Sequence, residues 1–135
     1  MWIYNDQEFK LEDYPGVFGF VYLISDLINN KFYLGRKQLY MNKYKTVNKK
    51  RKKIIVESDW QNYWGSSENF LIHTETVGKE NFTRKILYLC YSKSELQYFE
   101  TKEIFATDAL IKDEYYNSWC SCRINSRNLK RLYNK

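Results

Sequence analysis

Two short runs that mix apolar and polar positions lie close together early in the chain, Gly19-Phe20-Val21-Tyr22-Leu23-Ile24 and Lys31-Phe32-Tyr33-Leu34-Gly35. Between them, Ser25-Asp26-Leu27-Ile28-Asn29-Asn30 supplies the Asp and Asn residues that tolerate tight turns. This pattern predicts a β-hairpin with strands at 18–25 and 31–36. Residues 82–91 alternate and contain Ile86, Leu87, Tyr88 and Leu89, which predicts a third strand. Ahead of it, Ser66 or Ser67 can N-cap a helix that stops near Gly78, a residue suited to a left-handed cap. Behind it, Ser92-Lys93-Ser94-Glu95 is a capping box that opens a second helix, from about 93 to 109. On a helical wheel Leu96, Phe99, Ala106 and Leu110 share one face for burial, with Glu103 inside that face and Glu100 at its border beside Ile104. The order strand, strand, helix, strand, helix is that of an α+β domain.

The remaining segments are assigned by composition. Residues 1–17 end at the turn signal Pro15-Gly16 and read as an N-terminal extension packed on the hairpin. Residues 18–125 form the body, interrupted by a basic insertion at 36–57 in which 54–56 suggests a short strand. Residues 126–135 form a basic tail carrying Arg127, Lys130, Arg131 and Lys135. A chain of 135 residues is one domain by size, and 44% hydrophobic residues with a single Pro argue against disorder.

Charge narrows the choice of partner. The net charge is +6, and between Gly35 and Glu57 stand nine Lys or Arg and no acid. Arg36, Lys43, Lys45, Lys49, Lys50, Arg51, Lys52 and Lys53 are the candidate nucleic-acid contacts, with Lys37 reserved for the site. Tyr40 and Tyr44 interleave with them, as stacking residues do in nucleic-acid interfaces. The stretch has no amphipathic face to bind a lipid surface, and no apolar run approaches the ~20 residues a membrane span requires. The first residues lack the basic start and apolar centre of a signal peptide, so a cytoplasmic location is expected. Cys90, Cys120 and Cys122 are too few and too unevenly spaced for a disulfide framework or a zinc knuckle. His73 is the only histidine, which excludes paired-histidine hydrolases and HExxH metalloproteases. The five glycines are scattered and form no phosphate-binding loop. Hydrolytic chemistry in this chain must therefore use Tyr, Lys or Arg, and carboxylates.

Phe20-Val21-Tyr22 and Tyr33-Leu34-Gly35, then Glu95-Leu96-Gln97-Tyr98-Phe99-Glu100 with Ile104 one turn on, then Tyr115-Tyr116-Asn117, together resemble the signature of the GIY-YIG nuclease superfamily. Gly65-Ser66-Ser67 after Trp60 and Tyr63 resembles its small phage members of the Seg homing-endonuclease kind. The resemblance spans about 18–125. It implies a small three-stranded antiparallel sheet flanked by helices, and a metal-dependent endonuclease acting on DNA, most readily double-stranded, in the host cytoplasm if the chain is phage-encoded. It implies Tyr22 as the residue that activates water, Tyr33 as its support, Glu100 as the ligand of a Mg²⁺ or Mn²⁺ ion, and Asn117 as a residue orienting Glu100 or the hairpin backbone. A protein partner or second DNA-binding factor would supply target choice.

The resemblance has one gap. Members carry an arginine on the first helix to hold the scissile phosphate, and here that helix has none. Lys37, just beyond the second strand, is the first candidate for that clamp, Arg36 the second; Lys43 stands at the family distance and His73 is the outsider. Glu103 is the alternative carboxylate, and a surface pairing of Glu100 with Arg84 or Lys85 is the structural alternative to metal binding. The competing function is a catalytically inactive nucleic-acid-binding module of the same fold.

Overall fold

The computed structural model describes residues 1–133; Lys135 of the expected tail lies outside them. In chain order the strands are β1 (Trp2–Tyr4), β2 (Gln7–Glu8), β3 (Gly19–Asp26), β4 (Lys31–Gln38), β5 (Tyr40–Val47), β6 (Lys50–Glu57) and β7 (Phe82–Cys90). The α-helices are α1 (Glu68–Val77) and α2 (Lys93–Ala106). The main sheet has the order β2-β1-β7-β3-β4, and β5 and β6 pair separately.

The predicted hairpin forms with its register set by the turn. Asp26 Oδ1 accepts the backbone N–H groups of Ile28 and Asn29, and Asn30 takes a positive φ of 54°. Tyr22 therefore stands opposite Gly35, and Ile24 opposite Tyr33. The sheet has five strands rather than the expected three, and it is mixed. Trp2 pairs in parallel with Arg84 of β7, and β2 folds back on β1. A three-residue strand carries too little alternation to be recognised locally; its partner is 82 positions away.

The two sheet faces are covered differently. One face buries Trp2, Phe9, Phe20, Tyr22, Trp60, Phe70 and Ile86 in an aromatic core. The other packs Val21 and Leu34 against Leu96 and Ile104 of α2. Ser67 caps α1 by accepting from Phe70 N–H, and Gly78 ends it at φ 99°. In α2, Ser92 accepts from Glu95 N–H, and Thr107 closes the helix three residues earlier than expected. The wheel is also corrected: Ala106 and Leu110 are exposed, and the inward line runs through Leu96, Glu100 and Ile104. Ala106 is the last helical residue and lies on the solvent side, and Asp108, at φ 54°, turns the chain before Leu110 could continue the helix.

The basic insertion is not loop with one short strand. It is a regular hairpin with Val47 paired to Lys50 across Asn48 and Lys49, both at positive φ. That is the backbone of a tight two-residue turn, hidden in the sequence because a lysine occupies a position that usually belongs to glycine. The tail is also put to structural use, since Arg131 of the 3₁₀ segment Ser126–Leu132 makes two 2.7 Å bonds to the buried Glu95.

The C-terminal loop is tied to the sheet by a polar cluster. Asp26 Oδ2 accepts from Asn29 at 2.9 Å and from Tyr116 at 2.8 Å, and lies 2.8 Å from His73 Nε2. Burial alone would raise the Asp26 carboxyl, but the bonds from Asn29, His73 and Tyr116 outweigh it and hold it well below the usual carboxylate range. A depressed carboxyl stabilises the fold above its unfolded pKa of ~3.9 and loses that contribution as pH falls through the folded value. Asp26→Asn should therefore cost about 2 kcal/mol at pH 7, the scale of hydrogen bonds to a charged group. In urea unfolding from pH 7 to pH 2, the gap between wild type and variant should narrow only below about pH 4. A gap that is constant across that range would show that the carboxylate charge contributes nothing.

Candidate active site

At the β4 edge of the sheet lies a pocket of about 240 Å³, lined by Tyr22, Tyr33, Gly35, Arg36, Tyr63, Ser66, Glu100, Asn117 and Trp119 among others. Its groups come from both faces of the sheet. Tyr22 and Tyr33 belong to the aromatic face, whereas Arg36 and the α2 residue Glu100 belong to the other. They meet because Gly35 has no side chain: a Cβ there would fall on the Tyr22 hydroxyl. A register irregularity between Val21 and Tyr22, where β3 meets β7, lies beside the same ring.

Each ring is held in place. Tyr22 is 1% exposed and packs against Trp2 and Tyr63, while Tyr33 stacks on Phe70 with centroids 4.5 Å apart. Burial pushes the Tyr22 hydroxyl far above the ordinary phenol range, and Tyr63, Tyr33 and Glu100 push it the same way. Burial raises Tyr33 as well, against a hydrogen bond with Ser66. Both phenols are therefore neutral at ordinary pH.

Glu100 Oε1 stands 3.6 Å from Arg36 Nη1. Burial raises the Glu100 carboxyl, and the Arg36 charge works against that rise. Among the described residues Arg36 Nη1 is buried and, beyond this ion pair, has no hydrogen-bond partner; Arg84 Nε is likewise buried without one. Glu103, the alternative carboxylate, accepts from Tyr88 at 2.9 Å and does not line the pocket. The surface pairing of Glu100 with Arg84 or Lys85 is absent too. Arg84 is buried between Trp2 and Trp64 and donates to the carbonyls of Gln61 and Tyr63, and its burial lowers its pKa to about 10.

Asn117 acts on the hairpin backbone rather than on Glu100. Its Oδ1 accepts from Leu34 N–H at 2.9 Å and its Nδ2 donates to the Leu34 carbonyl at 2.8 Å. The side chain thus imitates a neighbouring strand, one step beyond the backbone bonds joining Phe32 to Glu114 and Tyr116.

Over residues 2–120 the sequence matches the family described as "Putative endonuclease segE, GIY-YIG domain". The chain belongs to the GIY-YIG family. No curated protein and no solved structure matches it.

Within that GIY-YIG frame, the structure redistributes the candidate clamps. Lys37 Nζ is bound to Asp59 at 2.6 Å and sits over the Tyr63 ring at 4.1 Å, outside the pocket lining. The reason is the two-residue strand period: Lys37 shares the Phe20 face, and Arg36 points to the α2 side where Glu100 stands. His73 is committed to the Asp26 cluster, and Lys43 lies on the separate β5–β6 hairpin. Lys45, Lys49, Lys50, Arg51, Lys52 and Lys53 are on that hairpin as well, away from the pocket. Tyr63, Ser66 and Trp119 complete the GIY-YIG pocket and were not singled out as site residues. The polar-aromatic run before Gly65 was the available signal for the first two; nothing in the sequence marked Trp119.

Gly35→Ala should displace the Tyr22 ring and destabilise the fold by about 1–3 kcal/mol, as overpacking does. Thermal unfolding and near-ultraviolet dichroism would register both effects. An unchanged melting temperature would mean that the ring moves aside freely and that Gly35 does not fix it.

Proposed function

We propose that the protein is a metal-dependent DNA endonuclease. The observation that supports this reading is one pocket lined jointly by Tyr22, Tyr33, Arg36 and Glu100 in a chain of the GIY-YIG family. Phosphodiester hydrolysis needs an oriented water, positive charge on the phosphorus oxygens and relief of charge on the leaving oxygen.

The donor set fits a hard divalent cation. Among the described residues no group of three or more His, Cys, Asp or Glu gathers, which argues against a site closed by protein ligands. Mg²⁺ or Mn²⁺ needs no such cage, because Mg²⁺ keeps several waters and takes one or two carboxylates. Glu100 is the carboxylate in the pocket, and it would hold the ion. Bound there, the ion supplies positive charge to the scissile phosphate and the leaving oxygen.

The remaining work falls to the chain. Arg36 takes the clamp role, its Nη1, which Glu100 holds only at 3.6 Å, binding a nonbridging phosphate oxygen through the planar fork that arginine offers. Tyr22, kept neutral by burial, orients the attacking water by accepting a hydrogen bond from it at the phenol oxygen. Tyr33 fixes the second wall through its stack on Phe70. Asn117 holds Leu34, and with it the strand that carries Tyr33 and Arg36.

The experiment is incubation with supercoiled plasmid over a series of Mg²⁺ and Mn²⁺ concentrations, with chelator as control. Wild type should cut, Glu100→Gln should not, and both should bind DNA alike. Tyr22→Phe should slow cleavage by roughly 10²-fold, the scale of a misplaced reacting group. Arg36→Ala should cost about 10²–10³-fold, the scale of a lost charge-stabilising donor, whereas Lys37→Ala should cost far less. Intact plasmid under every metal and pH, despite DNA binding, would replace this reading with the inactive binding module.

A further inference from the structure

We propose that the β5–β6 hairpin is a DNA-binding ribbon whose lysine face lies in the major groove of the duplex. The register of the two strands decides which face that is. Lys45 stands directly opposite Lys52, with Lys43 opposite Ile54 and Val47 opposite Lys50. Residues two apart on a strand share a face, so Lys43, Lys45, Lys50 and Lys52 form one contiguous quartet. The other face carries Arg51 and Lys53, and there Arg51 is laid on the Tyr44 ring at 3.9 Å. Glu57 ends that second face and bonds to Trp60.

The quartet is costly to the free protein. Like charges directly opposed across a strand pair destabilise the pair, and isolated two-stranded hairpins are marginal in water. Among the described residues none of the four lysines makes an ion pair or a side-chain hydrogen bond. Most of the ribbon is exposed on both faces. A surface that repels itself, is ion-paired to no acid among the described residues and is exposed on both faces calls for an extended polyanion. On the endonuclease reading, on which this inference rests, that polyanion is DNA.

Shape selects the groove. Two paired strands with side chains fit a groove ~12 Å wide and not one ~6 Å wide. Eight residues per strand extend about 27 Å, enough to follow most of a helical turn. Major-groove edges are rich in acceptors, to which lysine donates, and the exposed Met41, Val47 and Ile54 on the same face supply apolar contact. Leu39, the residue between β4 and β5, is fully buried and so anchors the ribbon to the strand that carries Arg36. DNA held in the ribbon is thereby registered on the pocket.

The test is binding of the full chain to a fluorescein-labelled 30-base-pair duplex in EDTA, read by anisotropy across a salt series. Changing Lys43, Lys45, Lys50 and Lys52 together to Gln should weaken binding at least 100-fold and flatten the log–log salt slope by about 3 to 4. Arg51→Gln with Lys53→Gln should change affinity less than fivefold. With wild-type protein, a duplex carrying bulky C5-substituted thymines, which fill the major groove, should bind at least tenfold more weakly, and prior saturation with netropsin in the minor groove should not matter. Equal losses from the two faces, or inhibition by netropsin in place of the thymine groups, would overturn the proposal. Cleavage plays no part in this readout. A chain that binds this way but leaves plasmid intact keeps the ribbon and loses the nuclease; a quadruple variant that binds and cuts like wild type loses only the ribbon.

Discussion

The hydroxyl of Tyr22 occupies the space that a side chain at position 35 would fill, and the geometry of the pocket follows from that contact. A tyrosine rooted in the aromatic face reaches the strand edge because its opposite number is glycine. Arg36, next along the strand, points the other way and meets Glu100 from α2. Without that opening, the phenols and the carboxylate would belong to two cores on opposite sides of one sheet.

The supports of the pocket are spread along the chain and differ in kind. Arg84, between Trp2 and Trp64, grips two carbonyls of the segment that presents Tyr63. Asn117 covers the β4 edge at Leu34, and Asp26 draws Tyr116 and His73 onto the hairpin turn. A buried guanidinium, an amide imitating a strand and a charged cluster thus do what apolar packing alone would leave loose. This covering also satisfies the outward backbone groups of Phe32 and Leu34 on an otherwise exposed sheet edge.

Much of this was legible in the sequence because it depends on local spacing. The Asp-Asn turn, the Ser67 cap, Gly78 and the Ser92 cap each act within a few residues, and each stands where the pattern placed it. A closed capping box would have Glu95 accept from Ser92 N–H; here it accepts from Tyr91 N–H. The pocket's Tyr22, Tyr33, Glu100 and Asn117 were legible only through the order of motifs. What was hidden depends on long-range pairing or on strand parity. β1 is short and meets a partner 82 residues away. The ribbon's lysines masked its alternation, and the choice between Arg36 and Lys37 turned on one step of a two-residue period. In sequence Arg131 is one charge of a basic tail, and only the burial of Glu95 beneath it gives it a structural role.

The parallel pairing of β1 with β7 sets an order on how the chain can assemble. Trp2 belongs to a strand made before the rest of this sheet, yet its neighbour Arg84 comes more than eighty residues of synthesis later. Through that interval the indole has no sheet to rest on, and the aromatic core around Phe20 and Tyr22 lacks one of its walls. Non-local contacts of this kind slow folding and leave apolar surface open while they wait. The N-terminal strand is thus a late closing piece: its docking completes the core under Tyr22, and a chain halted before β7 cannot assemble the site.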